Sequence, residues 1–410
     1  MSSLFDPIHI GNLKLNNRFV RTGTYVAMAN EKGEVTEDLI KLYKSLGKGN
    51  IGLIISSVLY VHPLGKSLNK QLGIYSDDFI PGLKKLVDSV HEGGGKIALE
   101  IVHSGAQTSN ELVGGQPIGP SGGINDPVTI SRSREITLEE IEEFIIAFGE
   151  AAQRVDKAGA DAIHIDAAGG YLIDQFLSPF FNHREDEWGG SEENCFRFMK
   201  EVYLEVRKNF SKEKPIIVKM QTNDYTIKEG ITPSLAAKHA KWLAELGVDA
   251  IEIAAGCTHF STMTMSRGKV PFEELLEYAP DNMKRVYQKV IGSCVGKYLY
   301  NEPFNLEDAR VVKPQIGNIP LILTGGIRTI QEMEQIITNG DAELIGMCRP
   351  FIREPYLVKK FKDGKSNKAE CISCNRCLAA AAAPIPVRCY VKHFPTKEET
   401  MGKEQITPVV

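Results

Sequence analysis

The feature that most constrains the fold is a regular alternation of short β-branched runs with longer amphipathic stretches. Apolar runs occur at Arg18–Thr22, Ile51–Ser56, Lys96–Ile101, Asp161–Ala167, Pro215–Met220, Asp249–Ala254, Ile319–Thr324 and Glu343–Met347. Most are separated by segments with helical spacing. In Thr137–Ala158 a capping box, Thr-Leu-Glu-Glu, precedes apolar residues at Ile141, Phe144, Ile145, Phe148 and Ala152. Pro233–Leu246 and Thr329–Ile337 read the same way. Apolar strands separated by helices belong to a parallel sheet covered on both faces. Eight such units in 410 residues predict an α/β fold, a (βα)8 TIM barrel. An open doubly wound sheet is the alternative, but no early strand leads into the G-x-G-x-x-G of a dinucleotide-binding domain.

The segment Cys257–Asp308 is too long for a loop and reads as an insertion after the sixth strand, helical at Asp281–Val290. The barrel is expected over residues 1–360 and a Cys-rich C-terminal extension over 361–410. Charge is balanced, with 48 basic and 52 acidic residues and no long run of one sign. That balance argues against a dedicated partner in nucleic acid or an acidic membrane surface. The first residues lack the basic and apolar regions of a signal peptide, and no apolar run is long enough to span a bilayer. A cytoplasmic location is the expectation.

In a barrel, chemistry sits where the strands end. The seventh run ends in Thr324-Gly325-Gly326-Ile327-Arg328 and the eighth in Gly346-Met347-Cys348-Arg349. Paired glycines let backbone N–H groups approach an anion and a nearby Arg can chelate it, so the pair suggests a phosphate site. The plainer reading is a tight turn with a surface Arg. Four of the eight cysteines, Cys371, Cys374, Cys377 and Cys389, fall in one 19-residue window as C-x2-C-x2-C-x11-C. In a reducing compartment this spacing holds metal rather than disulfides; four thiolates suit a [4Fe–4S] cluster or a structural zinc.

Two further stretches carry a resemblance. Leu4-Phe5-Asp6-Pro7 with Asn17-Arg18-Phe19-Val20-Arg21 is one. The other runs from Gly170-Tyr171-Leu172 through Phe176-Leu177-Ser178-Pro179 to Asn182-His183-Arg184-Glu185-Asp186-Glu187-Trp188-Gly189-Gly190-Ser191-Glu192-Glu193-Asn194. With them the chain resembles the old yellow enzyme family of FMN oxidoreductases, from Leu4 to Cys389. Its C-terminal portion resembles the branch with 2,4-dienoyl-CoA reductase and trimethylamine dehydrogenase. The resemblance implies a barrel holding FMN, reduced by NAD(P)H, that passes hydride from flavin N5 to an activated alkene. It places the phosphate on Gly325, Gly326, Cys348 and Arg349, and the isoalloxazine against Thr22, Gly23, Thr24, Tyr25 and Val58. Lys219 takes the position of the cation facing flavin N1 and O2, where it stabilises the reduced, anionic ring. The cysteines would hold a [4Fe–4S] cluster, which in that branch relays electrons from a further domain. Only 21 residues follow Cys389 here, so an electron-donor protein would have to supply them; zinc or a metal-free relic are the alternatives.

Three departures alter the expected chemistry. Where relatives carry two His that hold the substrate carbonyl, this chain reads Asp166-Ala167-Ala168-Gly169-Gly170-Tyr171. Each lost donor is worth about 2.7–4 kcal/mol to a developing enolate. Asp166 then has three readings: protonated in a dry pocket and donating, facing a cationic amine, or marking loss of the ancestral reaction. Glu100 replaces a Gln; it can accept from flavin N3–H but cannot donate to O2, and it can pair with Lys219. Tyr25 replaces a Cys or Thr. Tyr171 corresponds to the proton-donating Tyr, or else braces its loop. His164 shares the strand face of Asp166 and reads as an interior residue, while His259 and His103 read as spare or structural imidazoles. The expected function is an FMN-dependent oxidoreductase acting on a small-molecule substrate. The alternative is a flavin-binding electron carrier, or an amine-oxidising or diverged homologue. Relatives range from monomer to tetramer, and a homo-oligomer is the expectation.

Overall fold

The computed structural model describes residues 3–400 except 126–128, 130, 227, 261, 280, 282–283, 301–302 and 384. Eight parallel strands form a closed ring: β1 Phe19–Arg21, β2 Leu53–Ile55, β3 Ile97–Val102, β4 Ala162–Ala167, β5 Ile216–Gln221, β6 Ala250–Ala254, β7 Leu321–Thr324 and β8 Leu344–Met347. Each pairs with its successor, and β8 closes on β1 through Ile345–Phe19 and Met347–Arg21. Each apolar run of the sequence coincides with one of these strands, β3 and β5 running one residue further, to Val102 and Gln221. Helices α1 Glu37–Gly47, α2 Ile80–Glu92, α3 Leu138–Lys157, α4 Glu192–Asn209, α5 Pro233–Leu246, α6 Leu306–Val312, α7 Ile330–Asn339 and α8 Leu357–Lys362 follow the strands in turn. The architecture is the (βα)8 barrel.

Local chemistry sets the helix ends. Thr137 caps α3 by accepting from the Glu140 N–H while Glu140 reaches back to the Thr137 N–H, a complete capping box. Thr329 and Glu332 repeat it at α7. Outward strand residues such as Leu99, Ile163 and Ile251 bury against the helices in the main core.

Inward residues form layers. At the N-terminal end a hairpin of Ile8–Ile10 and Leu13–Leu15 drives Ile10 and Leu15 into the barrel. Small residues at Ala98, Ala162 and Ala250 leave room for this plug. Two positions further along those strands the interior turns from apolar to charged, with Glu100, His164 and Glu252 fully buried. The insertion after β6 carries helices Thr262–Met265, Phe272–Tyr278 and Lys284–Gly292. The third overlaps the helix expected at Asp281–Val290, of which positions 282–283 lie outside the described residues. No helix among the described residues is long and apolar enough to cross a membrane.

Candidate active site

Strand parity puts one residue of each central strand at the same height, and register brings them side by side. His164 pairs across with Glu100, Asp166 with Lys219, and Lys219 with Glu252. Their side chains make a continuous ionic string. Lys219 Nζ stands 3.3 Å from both Glu100 Oε1 and Asp166 Oδ2. His164 Nδ1 is 3.2 Å from Glu100 Oε1, an ion-pair contact rather than an aligned hydrogen bond, and its Nε2 is 3.1 Å from Glu252 Oε2. Thr324 donates to Glu252 Oε1 at 2.9 Å and ends the string. The Lys219 side chain keeps 19% exposure while Glu100 and His164 keep none, so the string meets the barrel mouth at Lys219.

Burial penalises every charge here, and the neighbours decide which survive. Burial opposes ionisation of Glu100, but Lys219 and His164 outweigh it and bring the carboxyl down to about 2. Burial also opposes charge on His164, yet two flanking glutamates raise it to about 9. Asp166 goes the other way: burial raises it, Lys219 only partly compensates and Glu100 adds repulsion, leaving it near 6. Lys219 is held protonated against burial by Asp166 and Glu100. Burial, with Asp166 next, pushes Tyr171 up to about 12, so its phenol keeps its proton.

A cradle lies above the string. A Cβ at Gly23 would stand 2.0 Å from Glu100 Oε2, so only glycine lets that carboxylate rise beside the β1 loop. Glu100 Oε2 is buried and lacks a hydrogen-bond partner, an acceptor aimed at the cradle. Thr22 and Val58 are buried, and Thr24 Oγ1 donates to the Thr22 carbonyl at 2.8 Å and lies 3.2 Å from Cys348 Sγ. The Tyr25 hydroxyl donates to the Asn69 carbonyl, and its pKa is raised by burial and then by Tyr171. Asp166 therefore faces Lys219, and Tyr171 shares their field. This set suits a flavin: an acceptor for the pyrimidine N3–H, a cation at the mouth for its anionic edge and a protonated phenol for proton transfer.

The ends of β7 and β8 are more engaged than their motifs suggest. The Gly325 and Gly326 carbonyls accept from the Phe304 N–H and the Tyr300 hydroxyl. Arg349, expected on a phosphate, donates through Nη1 to the Arg267 carbonyl at 2.8 Å and to Asn375 Oδ1 at 2.7 Å. Arg328 donates to the Cys371 carbonyl and Ser373 Oγ, with its guanidinium 4.0 Å from the Tyr300 ring centroid. Both arginines thus hold the cysteine loop. Ser373 (φ 51°) and Asn375 (φ 56°) adopt left-handed backbone there, and Asn375 Nδ2 also donates to the Ser266 and Lys269 carbonyls.

Cys371, Cys374, Cys377 and Cys389 line one pocket beside Arg349, Arg353 and Asn375, and all four are free thiols. No group of three or more His, Cys, Asp or Glu side chains among the described residues is arranged to hold a metal ion. The chain after Cys377 packs over the β1 loop, with Ala380, Ala383, Ile385 and Val387 against Ala27 and Tyr25.

The histidines sort themselves by environment. His164 is interior, as its strand parity implied. His103 is fully buried with its ring 4.4 Å from that of Phe144, and burial pushes its pKa well down, a structural imidazole. His259 sits among Phe180, Phe181 and Phe260. The sequence reading missed Glu252, whose signal was its parity in Ala250–Ala254: Ile251 and Ile253 face out, so Glu252 must face in. It also missed Gln221, which accepts from the Gly169 N–H and donates to the Gly256 carbonyl, tying the loop after β4 to the loop after β6.

The profile of the NADH:flavin oxidoreductase / NADH oxidase family matches residues 3–368, stopping just before Cys371. An NADPH dehydrogenase of Clostridium acetobutylicum is 34% identical over 355 residues, covering 87% of this chain and 93% of its own. An NADH oxidase of Thermoanaerobacter brockii is 32% identical over 416 residues, covering 99% of this chain and 58% of its own, so that match runs through the cysteine segment. Among solved structures, 2-naphthoyl-CoA reductase in complex with 2-naphthoyl-CoA superposes with a TM-score of 0.81 at 27% identity, over 95% of this chain and 57% of that one. The chain spans a little over half the length of these last two relatives.

Proposed function

This chain belongs to the NADH:flavin oxidoreductase / NADH oxidase family, and on that premise we propose that it is an FMN-dependent reductase of activated alkenes. NAD(P)H is its hydride source in this reading, and its substrates are small, largely apolar molecules. The observation that carries the reading is the pairing of Lys219 with Glu100 beneath Gly23, with Glu100 Oε2 left as an unused acceptor. FMN, when bound, supplies hydride transfer at its N5. Glu100 would accept from the pyrimidine edge and Lys219 would neutralise the charge that reduction places there. Thr22, Gly23, Thr24, Tyr25 and Val58 would line the ring, with Gly325, Gly326, Cys348 and Arg349 at the phosphate end. Tyr171 holds the proton for the substrate α-carbon.

Burial and the repulsion of Glu100 favour the proton-holding reading of Asp166 against the pull of Lys219, and the ion pair to Lys219 counts against the amine-binding one. An Asp166 carboxylate already matched by Lys219 has little field left for a substrate cation. For the cysteine pocket we propose a [4Fe–4S] cluster, reduced by a separate donor protein. Four cysteine side chains spread around a cavity beside the β1 loop suit a multi-iron cluster better than one zinc ion.

Anaerobic stopped-flow mixing of the photoreduced protein with enones and enoyl-CoAs tests the function. Rapid reoxidation by a member of that panel, with no bleaching of the oxidised protein by amines, is the expected result. Bleaching by amines with no reoxidation by any alkene would overturn it.

A further inference from the structure

The ionic string holds more carboxylates than cations. Lys219 and His164 carry two positive charges, Glu100 and Glu252 carry two negative ones, and Asp166 is the third carboxylate. With Asp166 ionised the string bears one net negative charge; with Asp166 protonated it is neutral. The groups facing Asp166 are Lys219 on β5, Glu100 on β3, His164 on its own strand, and Tyr171 and Asp174 in the segment that follows. Burial pushes Asp174 toward its neutral form and Tyr171 keeps its phenol proton, so neither supplies positive charge. Among the described residues Lys219 is the cation in contact with Asp166; His164 acts on it from further along the strand, and the Ala168 N–H donates to Asp166 Oδ1 at 3.2 Å.

Lys219 is also the cation that an anionic reduced flavin would use. A new negative charge at the mouth therefore competes with Asp166 for one ammonium group, and a buried carboxylate that loses its counter-ion binds a proton.

We propose that Asp166 is a redox-linked proton acceptor, taking up one proton from solvent when the adjoining flavin is reduced and so becoming an acid within the substrate pocket. The inference rests on the flavin reading of the site and deepens it. In the balance, hydride from the nicotinamide brings two electrons and one proton to the flavin. The second proton comes from water and forms an O–H bond on an Asp166 oxygen, and no bond at Asp166 breaks. Reduction thus installs a hydrogen-bond donor where relatives carry imidazoles, and only when hydride is ready to be passed on.

The test is the pH dependence of the flavin midpoint potential, measured by spectroelectrochemistry on the holoprotein and on Asp166→Asn between pH 5 and 9. Below about pH 6 the oxidised protein already carries the Asp166 proton, so wild type should follow a one-proton slope. Above that the slope should steepen by one further proton per two electrons, ~29.6 mV per pH unit. Asp166→Asn should keep the one-proton slope throughout, and Asp166→Glu should restore the steeper limb. A one-proton slope in wild type across the range overturns the proposal, as does a steep limb that survives in Asp166→Asn. Should the Asn variant fail to fold, a pH-indicator dye in weakly buffered wild-type solution counts the protons taken up on electrochemical reduction at pH 7.5, with the counter-electrode in a separate compartment. Two per flavin support the proposal and one overturns it. A protein that binds no flavin overturns the site reading as well, whereas flavin bound with a one-proton slope overturns this inference alone.

Discussion

Lys219 is shared by Glu100 and Asp166, so its removal leaves Asp166 without a contacting cation among the described residues and Glu100 with His164 alone. Lys219→Met should cost about 3–5 kcal/mol in urea unfolding, the range for breaking a buried ion pair from one side. The same variant should bind FMN more weakly in a fluorescence titration. His164 supplies a separate pH signature. Its folded pKa of about 9 lies above the unfolded imidazole value, so its contribution is complete below about pH 6.5 and fades as pH rises through 9. Wild type should lose on the order of 3 kcal/mol over that window, and His164→Gln should flatten the loss in unfolding curves taken at each pH. At this scale legibility was uneven. The Glu100–Lys219 pair could be read because a substituted carboxylate and a strand-end cation stood out against the family pattern. Glu252 could not, because its importance comes from a neighbour 88 positions away, His164, and only barrel closure brings them together.

The strands were the most readable elements, since a parallel strand buried on both faces is apolar nearly throughout. The exceptions inside them, Glu100, His164, Asp166, Lys219 and Glu252, are the site. Helix α3 was legible from its capping box, and Thr137→Ala should cost about 1 kcal/mol by removing that cap, read as a drop in the urea midpoint. The cysteine loop was readable as a ligand set but not as a partner of β7 and β8. Arg328 and Arg349 reach it across more than twenty residues of chain, and no local spacing encodes that contact. Asn375 holds Arg349 and two carbonyls of the insertion while in left-handed backbone. Asn375→Ala should therefore lower the iron content of anaerobically purified protein and weaken FMN binding together. Loss of iron with unchanged FMN affinity would show that the loop and the strand ends are independent.

Over the whole molecule the barrel is graded along its axis. An apolar plug of Ile10 and Leu15 closes one end, a layer of opposed charges fills the middle, and Gly23, Tyr25 and Tyr171 frame the other end. The plug keeps water from the charged layer, where low dielectric makes each ion pair count for more. The cysteine segment leans on the same mouth through Ala27 and Tyr25. The central claim is that this mouth is a flavin site built on Glu100 and Lys219. Its most direct test is to purify the protein anaerobically, saturate it with FMN, remove free ligand and quantify the chromophore released on denaturation, alongside Gly23→Val. About one FMN per chain in wild type and a large loss in Gly23→Val is the predicted result; no retained flavin in wild type, or equal retention in both, would contradict it.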